Sequence, residues 1–591
     1  MLPQMYETQT TRQAIDTFLG YDHRLKTQEG SWYDEQNLTA DYFPLFANRE
    51  PRGIVDEGGH YRAISARDAL LMIQGSKVVY NGLEIEGITL SEDEDMLPKK
   101  LVNMGAYVCI FPDGAYVNTA DLSDCGMMGL SRYTIGNVTI EPCRQDGETY
   151  EMNGIASPDE PANPENGQLW LDTSTAKHSL KVYSSSTGMW SPIATVYLKL
   201  SCTSIGVGFK EGDAVTFSGF AYDGDNPTMR AQIEALNASH VLRGSSDDYV
   251  IITGLIDQVY TMSARLSMER KVPKMQHVCE LNNRLWGCYY GIQDGKMVNE
   301  IYACKLGDFK NWYCYDGIST DSYAVTVGTD GEFTGAIAHL GYVCFFKDDC
   351  LHKISGTMPS NFRVTTTQMR GVQRGSEDSL VIVNEILFYK SRTDICAYDG
   401  SLPTSISDNF GTEVYHNASG GSYGSKYYLS MQDSSGNWQL FVYDTGKGLW
   451  HHEDQLHATY FTAWEDEIYC IDADHDRILA LNGTIDGEDQ DVEWMAESGI
   501  IGYDLVDHEY VSRFNYRMKL GRGATITTFI EYDDSGIWER QNTVLGDGLI
   551  ASFILPVIPR RCDHFRIKLS GKGDIRIYSM AKIISQGSDV S

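Results

Sequence analysis

Three short stretches of the chain carry residue types that could do chemistry. Gly420-Gly421-Ser422-Tyr423-Gly424 has the letters of the G-x-S-x-G elbow, which exposes a nucleophilic serine between a strand and a helix. Asp472, Asp474 and Asp476 have the spacing of the first ligands of a calcium-binding loop. His451-His452-Glu453-Asp454 combines imidazoles and carboxylates, which are common ligands of metal ions.

The residues around each stretch favour a structural interpretation. Strand-like Tyr427-Tyr428-Leu429 follows the serine where the elbow needs a helix, so we predict a glycine loop. A calcium loop needs Gly at position six and Glu at position twelve, but Arg477 and Gly483 stand there, so we predict an Asp-rich hairpin turn. Adjacent histidines on a strand point to opposite faces, so we predict a solvated loop after Trp450. The sequence therefore predicts no enzyme and no catalytic, cofactor-binding or metal-binding residues.

A hairpin pattern of an aromatic residue, a polar turn with Gly, and a Trp occurs three times. Its members are Tyr183 to Trp190, Tyr443 to Trp450 and Tyr532 to Trp538. Cross-strand aromatic pairs stabilise hairpins by roughly 0.2–1 kcal/mol. The pattern favours structural packing, with aromatic contacts to a glycan as the alternative.

One unit repeats about five times between Gln276 and Asn482 and dominates the chain. Each copy has a polar turn, an apolar strand, a second turn and a partner strand. A period of about 40 residues built from short strands is typical of a β-propeller. The apolar strands lie within 282–289, 338–345, 383–389, 424–430 and 464–470, and their partners within 300–305, 350–354, 394–398, 438–443 and 477–480. We predict a mainly β protein whose propeller has about six or seven blades.

The spacing of strand and turn signals divides the chain into five predicted segments. These are an irregular N-terminal arm at 1–50, the first propeller blades at 51–145, an inserted small β domain at 146–273, the remaining blades at 274–485, and a C-terminal β-sandwich at 486–591. Within them we predict a short helix near Thr11 to Phe18 and a strand at Arg52 to Val55 that belongs to the first blades. A second helix should open at Asp225-Asn226-Pro227, and the acidic run 92–95 should be a loop.

Composition narrows the class of protein. The chain has 591 residues with 42% hydrophobic and 22% charged residues, which is typical of a globular protein with several domains. No apolar run approaches the roughly 18–20 residues that span a bilayer. The start, Met1 to Glu7, lacks the features of a secretory signal, so we expect synthesis and folding in a cytoplasm. The 13 cysteines form no CxxC pair, so we predict buried free thiols.

The charge balance is strongly acidic. The chain has 81 acidic and 48 basic residues, giving a formal net charge of −33. Such a surface repels phosphate backbones and disfavours groove binding of nucleic acid. The same repulsion would let DNA slide past without sticking, although acidic residues also serve simple solubility.

Several stretches together resemble a known group of viral proteins. They are Phe18-Leu19-Gly20-Tyr21-Asp22, Arg49-Glu50-Pro51-Arg52-Gly53, the blade segment from Asn299 to Trp312, the insert segment from Pro164 to Thr173, and the ending that starts at Pro559-Arg560-Arg561. In this layout the chain resembles the tail nozzle (tubular protein B) group of short-tailed bacteriophages. That group looks like propellers interrupted by an inserted domain.

The resemblance implies a structural protein of the virion tail with no catalytic residues and no cofactor. Its expected partners are further copies in a homo-oligomeric, six-fold ring, the portal and adaptor above it, and tail fibre or tip proteins around it. Genomic DNA would pass transiently and without specific contacts through an acidic channel. Assembly would take place in the host bacterial cytoplasm. The alternatives are a carbohydrate-binding adhesin and a propeller hydrolase that degrades surface polysaccharide.

Overall fold

The protein is mainly β, as predicted. The computed structural model describes residues 10–92, 98–263, 265–293, 295–485, 491–502, 509–557, 560 and 562–586. In these ranges there is one α-helix, Pro227–Glu234, with short 3-10 turns at Pro359–Asn361, Glu377–Ser379 and Asp408–Phe410. None of the described helices has the length and apolar character needed to cross a membrane.

Seven four-stranded antiparallel sheets recur along the chain, and we number them meander 1 to meander 7. Meander 1 consists of Tyr61–Ala66, Leu70–Gln74, Lys77–Tyr80 and Leu83–Glu84, and meander 2 of Lys100–Met104, Tyr107–Phe111, Ala115–Asn118 and Gly126–Met127. Meander 3 consists of His277–Glu280, Leu285–Gln293, Lys296–Ala303 and Tyr323–Thr326, meander 4 of Gly335–His339, Tyr342–Phe346, Cys350–Ser355 and Arg363–Gln368, and meander 5 of Val381–Val383, Ile386–Lys390, Ile395–Tyr398 and Thr404–Ser405. Meander 6 consists of Tyr415–Tyr423, Lys426–Asp433, Trp438–Asp444 and Leu449–Asp454, and meander 7 of Ala458–Trp464, Glu467–Asp472, Arg477–Ala480 and Gly53–Glu57. The middle two strands of meanders 3 to 7 are the predicted apolar strand and its partner.

The fourth strand of meander 7 comes from the other end of the chain. Gly53–Glu57, which we call the closing strand, pairs antiparallel with Arg477–Ala480. The expectation that this strand belongs to the first blades is therefore wrong. Gly53 allows the close approach, because a Cβ there would lie 2.6 Å from the carbonyl oxygen of Ile485.

A buried carboxylate holds the end of meander 7. Glu467 is 2% exposed, and its two oxygens accept hydrogen bonds from the backbone N–H groups of Ile468, Leu481, Asn482 and Thr484 and from the Thr484 hydroxyl. Leu481, Asn482 and Thr484 directly follow Arg477–Ala480, the strand that pairs with the closing strand. Glu467 therefore fixes the chain where the paired strand ends.

Consecutive meanders pack face to face within each of two compact units. The first unit comprises Met1–Leu101, Asp330–Lys353 and Val364–Ser591, and the second comprises Val102–Thr329 and Ile354–Arg363. In the first unit the shared cores join Phe346 to Leu387 (meanders 4 and 5), Phe388 to Tyr427 (5 and 6), Leu440 to Ile468 (6 and 7), and Ile471 to Ile64 (7 and 1). In the second unit, Phe111 of meander 2 shares a core with Leu285 of meander 3.

The inserted region of the second unit has three small sheets. Asn226 caps the predicted helix, since its side chain accepts from the N–H groups of Thr228 and Met229, and Met229 and Ile233 are buried. Two of the sheets share one core instead of forming a single closed barrel of described strands. In order, the strands are Leu130–Tyr133, Ser267–Arg270, Ala214–Ser218 and Ser239–Val241; Gly244–Ser246, Tyr249–Thr253, Tyr197–Ser201, Val138–Cys143 and Tyr260–Met262; and Ala156–Ser157, Leu169–Asp172, Ser179–Ser184 and Met189–Pro192.

Two five-stranded sheets combine both ends of the chain around one core, and we call them T1 and T2. Gly20–Tyr21 and Ser31–Trp32 form a separate parallel pair. T1 has the order Thr10–Ile15, Ile575–Gln586, Glu509–Leu520 and Ile550–Pro556, with Phe46–Ala47 also paired to Ile575–Gln586; T2 has the order Asp34–Gln36, Glu493–Glu497, Phe565–Lys572, Thr525–Tyr532 and Glu539–Leu545.

The predicted helix near Thr11 to Phe18 is wrong, and the N-terminal arm is more regular than expected. Thr10–Ile15 is a strand paired along its length with Ile575–Gln586. The segment contains two β-branched threonines, and a partner strand from the far end of the chain overrides its weak helical pattern. The five segment boundaries stay predictions.

Some predicted features lie outside the described residues. These are residues 93–95 of the acidic loop, 486–490 of the region after meander 7, and Pro559 and Arg561 of the phage-like ending. The expectation for the cysteines is confirmed, because all 13 are free and all except Cys125 are buried.

Meander 4 contains a buried histidine that should make stability depend on pH. His352 is fully buried, its ring Nδ1 lies 2.9 Å from the Thr366 hydroxyl, and burial together with nearby Lys347 lowers its pKa to about 4. Between pH 6.5 and 4 the unfolded chain binds a proton that the folded chain excludes, so stability is lost as the pH falls.

We expect the wild-type protein to lose about 2–3 kcal/mol more than H352Q between pH 7 and pH 4.5, measured by urea unfolding. Parallel pH profiles for the two proteins would contradict the role of His352. Other groups titrate in both proteins and cancel in the comparison.

Candidate functional site

The serine of the G-x-S-x-G sequence lies on a hairpin and not on an elbow. Ser422 is in strand Tyr415–Tyr423, which turns at Gly424 into Lys426–Asp433. The predicted glycine loop is therefore mostly a strand. Gly421 is required there because a Cβ would lie 2.2 Å from Cβ of Phe461 on meander 7. Close packing of neighbouring sheets explains this glycine.

Ser422 should therefore be chemically inert. We expect S422A to leave the free energy of unfolding within about 0.5 kcal/mol of wild type. Wild-type protein should not react with a fluorophosphonate probe, which labels activated serines. Labelling of wild type that disappears in S422A would contradict this interpretation.

The three aspartates of the calcium-like spacing bind protein groups. Asp472 accepts from Arg477 Nε at 2.8 Å, and its Oδ2 lies 2.9 Å from His475 Nδ1. Asp474 pairs with a histidine of the preceding turn, and Asp476 accepts from the backbone N–H groups of residues 60 and 61. The predicted Asp-rich hairpin turn is confirmed, because it joins Glu467–Asp472 to Arg477–Ala480.

The stretch His451 to Asp454 is a strand and not the predicted solvated loop. It lies in Leu449–Asp454, with His451 and Glu453 buried. His451 Nδ1 lies 2.8 Å from Glu35 Oε1, and His452 lies 2.6 Å from the carbonyl oxygen of Glu35. The polar pattern predicted solvent exposure, but a strand from the N-terminal region covers it. No group of three or more potential ligands in the described part of the chain is arranged to hold a metal.

His452, Asp454, Asp472 and Asp474 line a cavity of the first unit, which we call the polar cleft. It has a volume of about 720 Å³ and lies between the ends of meanders 6 and 7, the closing strand and strand Asp34–Gln36 of T2. Its lining is mainly ionisable, with Asp34, Glu35, Asp454, Asp472, Asp474, Arg49, Arg52, Arg477, His452, His457 and His475.

A buried ion-pair network forms the floor of the polar cleft. Arg52 is 8% exposed and donates to Glu453 at 2.6 Å and to Asp454 at 2.5 Å. Arg49 lies 3.7 Å from the same Asp454 carboxylate. Burial opposes the charged forms, but the attraction outweighs it, so the pKa of Arg52 is raised and that of Asp454 is lowered. The network ties the residues before the closing strand to meander 6.

Three histidines of the polar cleft each lie beside a carboxylate. His457 Nδ1 is 2.8 Å from Asp474, and the imidazole also stacks on Trp438 with ring centroids 3.7 Å apart. His475 pairs with Asp472, and His452 lies 3.9 Å from Asp34. A histidine beside a carboxylate can activate a nucleophile, but no serine or cysteine lines the polar cleft among the described residues.

The rim of the polar cleft is the part open to a ligand. The side chains of Asp34, Asp474 and His475 are 44%, 56% and 67% exposed. Deeper in the cleft, one carboxylate oxygen each of Glu35 and Asp472 has no hydrogen-bond partner among the described residues. The arrangement could hold a polar ligand at its mouth, while most of its charge holds the sheets together.

The sequence singles out His452, Asp454, Asp472 and Asp474 but does not connect them with the rest of this cleft. Its lining comes from residues 34–54, 452–457 and 472–479 and from Met495, which no local spacing connects. The two nearby arginines, Arg49 and Arg52, were a further signal in a chain with an excess of acidic residues.

The aromatic hairpins have mostly structural roles. Tyr183 and Trp190 pair directly across two strands with ring centroids 5.3 Å apart, and Tyr443 and Trp450 do so at 4.8 Å. Trp538 differs, since Lys568 Nζ lies 5.3 Å from its ring centroid. Packing is therefore confirmed for two of the three hairpins.

Comparison with known proteins gives no family. No family model and no curated protein match the chain. Among solved structures, BamB from Moraxella catarrhalis is 10% identical, with a TM-score of 0.31 over 73% of this chain and 97% of that one. AztD from Citrobacter koseri is 9% identical, with a TM-score of 0.24 over 87% and 90%.

An exo-beta-1,3-galactanase from Phanerochaete chrysosporium is 8% identical, with a TM-score of 0.21 over 52% of this chain and 95% of that one. Other similar structures are glycoside hydrolases of family 43. Identities and TM-scores this low do not indicate what the chain binds or does.

Proposed function

We propose that this protein is a structural component of a bacteriophage tail, a nozzle-like ring that forms part of the DNA ejection channel. In this proposal the seven meanders are the blades of one β-propeller, interrupted by the inserted region and followed by a sandwich of T1 and T2. The protein is not an enzyme and needs no cofactor. It is located in the virion tail after assembly in the host cytoplasm.

The observation that carries the proposal is the pairing of the closing strand with the last meander. A propeller ring has to join its first and last blades, and an early strand in the last sheet does this with backbone hydrogen bonds. Cores shared between meanders 4, 5, 6, 7 and 1 supply the blade-to-blade packing. A rigid ring of this kind suits a mechanical collar.

The charge of the chain supports passage of DNA. A net charge of −33 repels phosphate groups, so DNA can move along such a surface without being held. Within the described residues the ionisable side chains of the polar cleft are largely paired with each other, which leaves little chemistry for a substrate. The inserted region and the T1 and T2 sheets are the candidates for contacts with portal, adaptor, fibre or tip proteins.

Electron microscopy of the purified protein tests the proposal. We expect six-fold rings with a central opening and the same protein among the tail proteins of purified virions. A protein that remains monomeric at high concentration and is absent from virions would contradict it. Binding of linear DNA should be undetectable at physiological salt, because specific contacts are absent.

The exposed rim of the polar cleft supports a second candidate, a carbohydrate-binding adhesin or polysaccharide-degrading protein. Carboxylates such as Asp34 and Asp474 could accept hydrogen bonds from sugar hydroxyls, and His457, which stacks on Trp438, lies at the cleft wall. A glycan array distinguishes the two functions. Tight binding that is lost in D34N/D474N would favour the second, and no binding would favour the nozzle.

A further inference from the structure

The outward face of sheet T1 carries a row of basic side chains. In strand Glu509–Leu520 the side chains of Phe514, Tyr516 and Met518 are buried in the core shared with T2. Alternate residues therefore face outward, and these include Arg513, Arg517 and Lys519. Three cations on one strand stand out in a chain with 81 acidic residues.

A fourth cation extends this row across the sheet. Ile583 lies on the strand between those of Arg12 and Arg513 and pairs with both residues. The backbones of Arg12 and Arg513 are therefore about 10 Å apart, which is twice the spacing of neighbouring strands. We call Arg12, Arg513, Arg517 and Lys519 the basic strip. In the described part of the chain none of the four has an ion pair or a side-chain hydrogen bond, and Arg12, Arg513 and Arg517 are exposed.

Several buried or partly buried arginines of the protein behave differently. Arg52, Arg270 and Arg477 each contact a carboxylate at 2.8 Å or less. Acidic residues outnumber basic ones in this chain, so most cations can find a partner within the fold. The basic strip has no carboxylate partner among the residues that the structure describes.

Exposed apolar residues border the basic strip on the strand at the edge of T1. Ile550 pairs with Lys519, and Ile554 pairs with Asn515, between Arg513 and Arg517. Ile550 is 52% exposed and Ile554 is 63% exposed, and Leu549 before them is 68% exposed. Arginine beside aliphatic residues is typical of the centre of protein interfaces, whereas a solvated surface of this chain would be acidic.

The edge position strengthens this interpretation. Ile550–Pro556 is the last strand of T1, so one row of its backbone groups has no strand partner among the described residues. An apolar edge strand is prone to pair with other chains, and proteins normally charge it, shorten it or cover it. Here the edge is seven residues long and carries two exposed isoleucines. A partner that covers it would remove this hazard.

We propose that the basic strip, with Ile550 and Ile554, is the surface by which one copy of this protein binds an acidic surface of a second copy. Charge complementarity selects this partner, because every copy carries a net charge of −33 over its whole sequence. Two basic strips would repel each other across a two-fold axis. The contact must therefore join different surfaces of the two copies, which is the kind of contact that closes into a ring. This inference rests on the proposed ring.

DNA is a weaker partner for the same surface. Four cations can bind phosphates, but the exposed isoleucines among them would gain nothing from a phosphate backbone, and the remaining surface repels it. A protein partner uses both the charges and the apolar residues. Self-association and DNA binding of the same variants distinguish the two partners.

The decisive experiment measures self-association by sedimentation at low salt for wild type, R513E/R517E and R132E/R363E. Arg132 and Arg363 belong to the second unit, are also exposed, carry no ion pair in the described residues, and give the same charge change. We expect the strip variant to raise the dissociation constant at least about tenfold and the control variant to leave it unchanged. High salt should weaken wild-type assembly in the same direction.

Three further outcomes would each contradict the proposed role of the basic strip, and each does so in a different way. Rings that form equally well with R513E/R517E would leave the nozzle proposal standing and remove the basic strip from its interface. Wild type that stays monomeric would remove both. Loss of DNA binding in R513E/R517E without a change in assembly would assign the strip to nucleic acid.

A cross-link would locate the partner surface. Ser552 lies between Ile550 and Ile554 and pairs with Arg517, so a photo-reactive residue at this position faces the proposed interface. In a mixture of isotopically light and heavy protein, we expect light-to-heavy cross-links to a carboxylate-rich peptide. Cross-links confined to one chain would contradict the proposal. Circular dichroism confirms that each variant is folded.

Discussion

Replacement of Arg52 by methionine should lower the free energy of unfolding of the first unit by about 3–5 kcal/mol, because it leaves Glu453 and Asp454 buried without their main counter-charge. Arg52 is 8% exposed and donates to both carboxylates. Methionine keeps an unbranched apolar stem, so the loss of stability measures mainly the contribution of the guanidinium charge. Urea unfolding with a probe in the first unit measures it.

The matched control is R144M. Arg144 pairs with Glu148 at 2.6 Å, but both side chains are more than half exposed, so solvent screens the pair and its loss should cost at most about 1 kcal/mol. Equal losses in R52M and R144M would show that the buried network contributes no more than a surface ion pair. A double variant in which Glu453 is also replaced by glutamine should recover part of the loss, because a buried negative charge is removed.

Replacement of Glu467 by glutamine should be the second strongly destabilising change, with a loss of about 3 kcal/mol or more. The two oxygens of Glu467 accept five hydrogen bonds, from Ile468, Leu481, Asn482 and twice from Thr484. Glutamine places an N–H2 group against some of these donors, whichever way its amide is turned. Hydrogen bonds to a charged acceptor are also stronger than those to an amide.

The loss of stability in E467Q should first appear as local opening near Glu467, before the whole unit unfolds. Amide hydrogen exchange should quicken in Arg477–Ala480 and in the closing strand, because Glu467 holds the segment that follows their pairing. Asp466 is the neighbouring exposed carboxylate, and D466N, which makes the same charge change, should leave exchange in both strands unaltered. Unchanged protection in E467Q would mean that the donors find other acceptors.

Local patterns in the sequence predict much of this fold. Alternation of apolar strands and polar turns identifies the second and third strands of meanders 3 to 7, since each unit repeats the same local geometry. The helix Pro227–Glu234 is predictable because Asn226 is a good N-cap and Met229 and Ile233 lie one turn apart. In these cases residues close in the sequence contact each other.

Pairing between distant strands could not be predicted. The sequence of Thr10–Ile15 contains no pattern that identifies Ile575–Gln586 as its partner. From the sequence, the closing strand is expected to pair with the strands that follow it directly, but it pairs with Arg477–Ala480. The polar cleft could not be predicted from the sequence for the same reason. His451 and Glu453 look solvated until Glu35 and Arg52 are placed beside them. Burial of a charged residue depends on its partner, and here the partner is hundreds of residues away.

The closing strand also constrains how the protein is made. Arg477–Ala480 is translated hundreds of residues after Gly53–Glu57, and Ile575–Gln586 is translated hundreds of residues after its partner Thr10–Ile15. We expect the nascent chain to hold the two earlier strands unpaired until these partners have been made. Long-range pairing of this kind is slow and leaves edges open to aggregation. Expression at reduced temperature, with host chaperones available, should therefore raise the yield of folded protein more than a stronger promoter does.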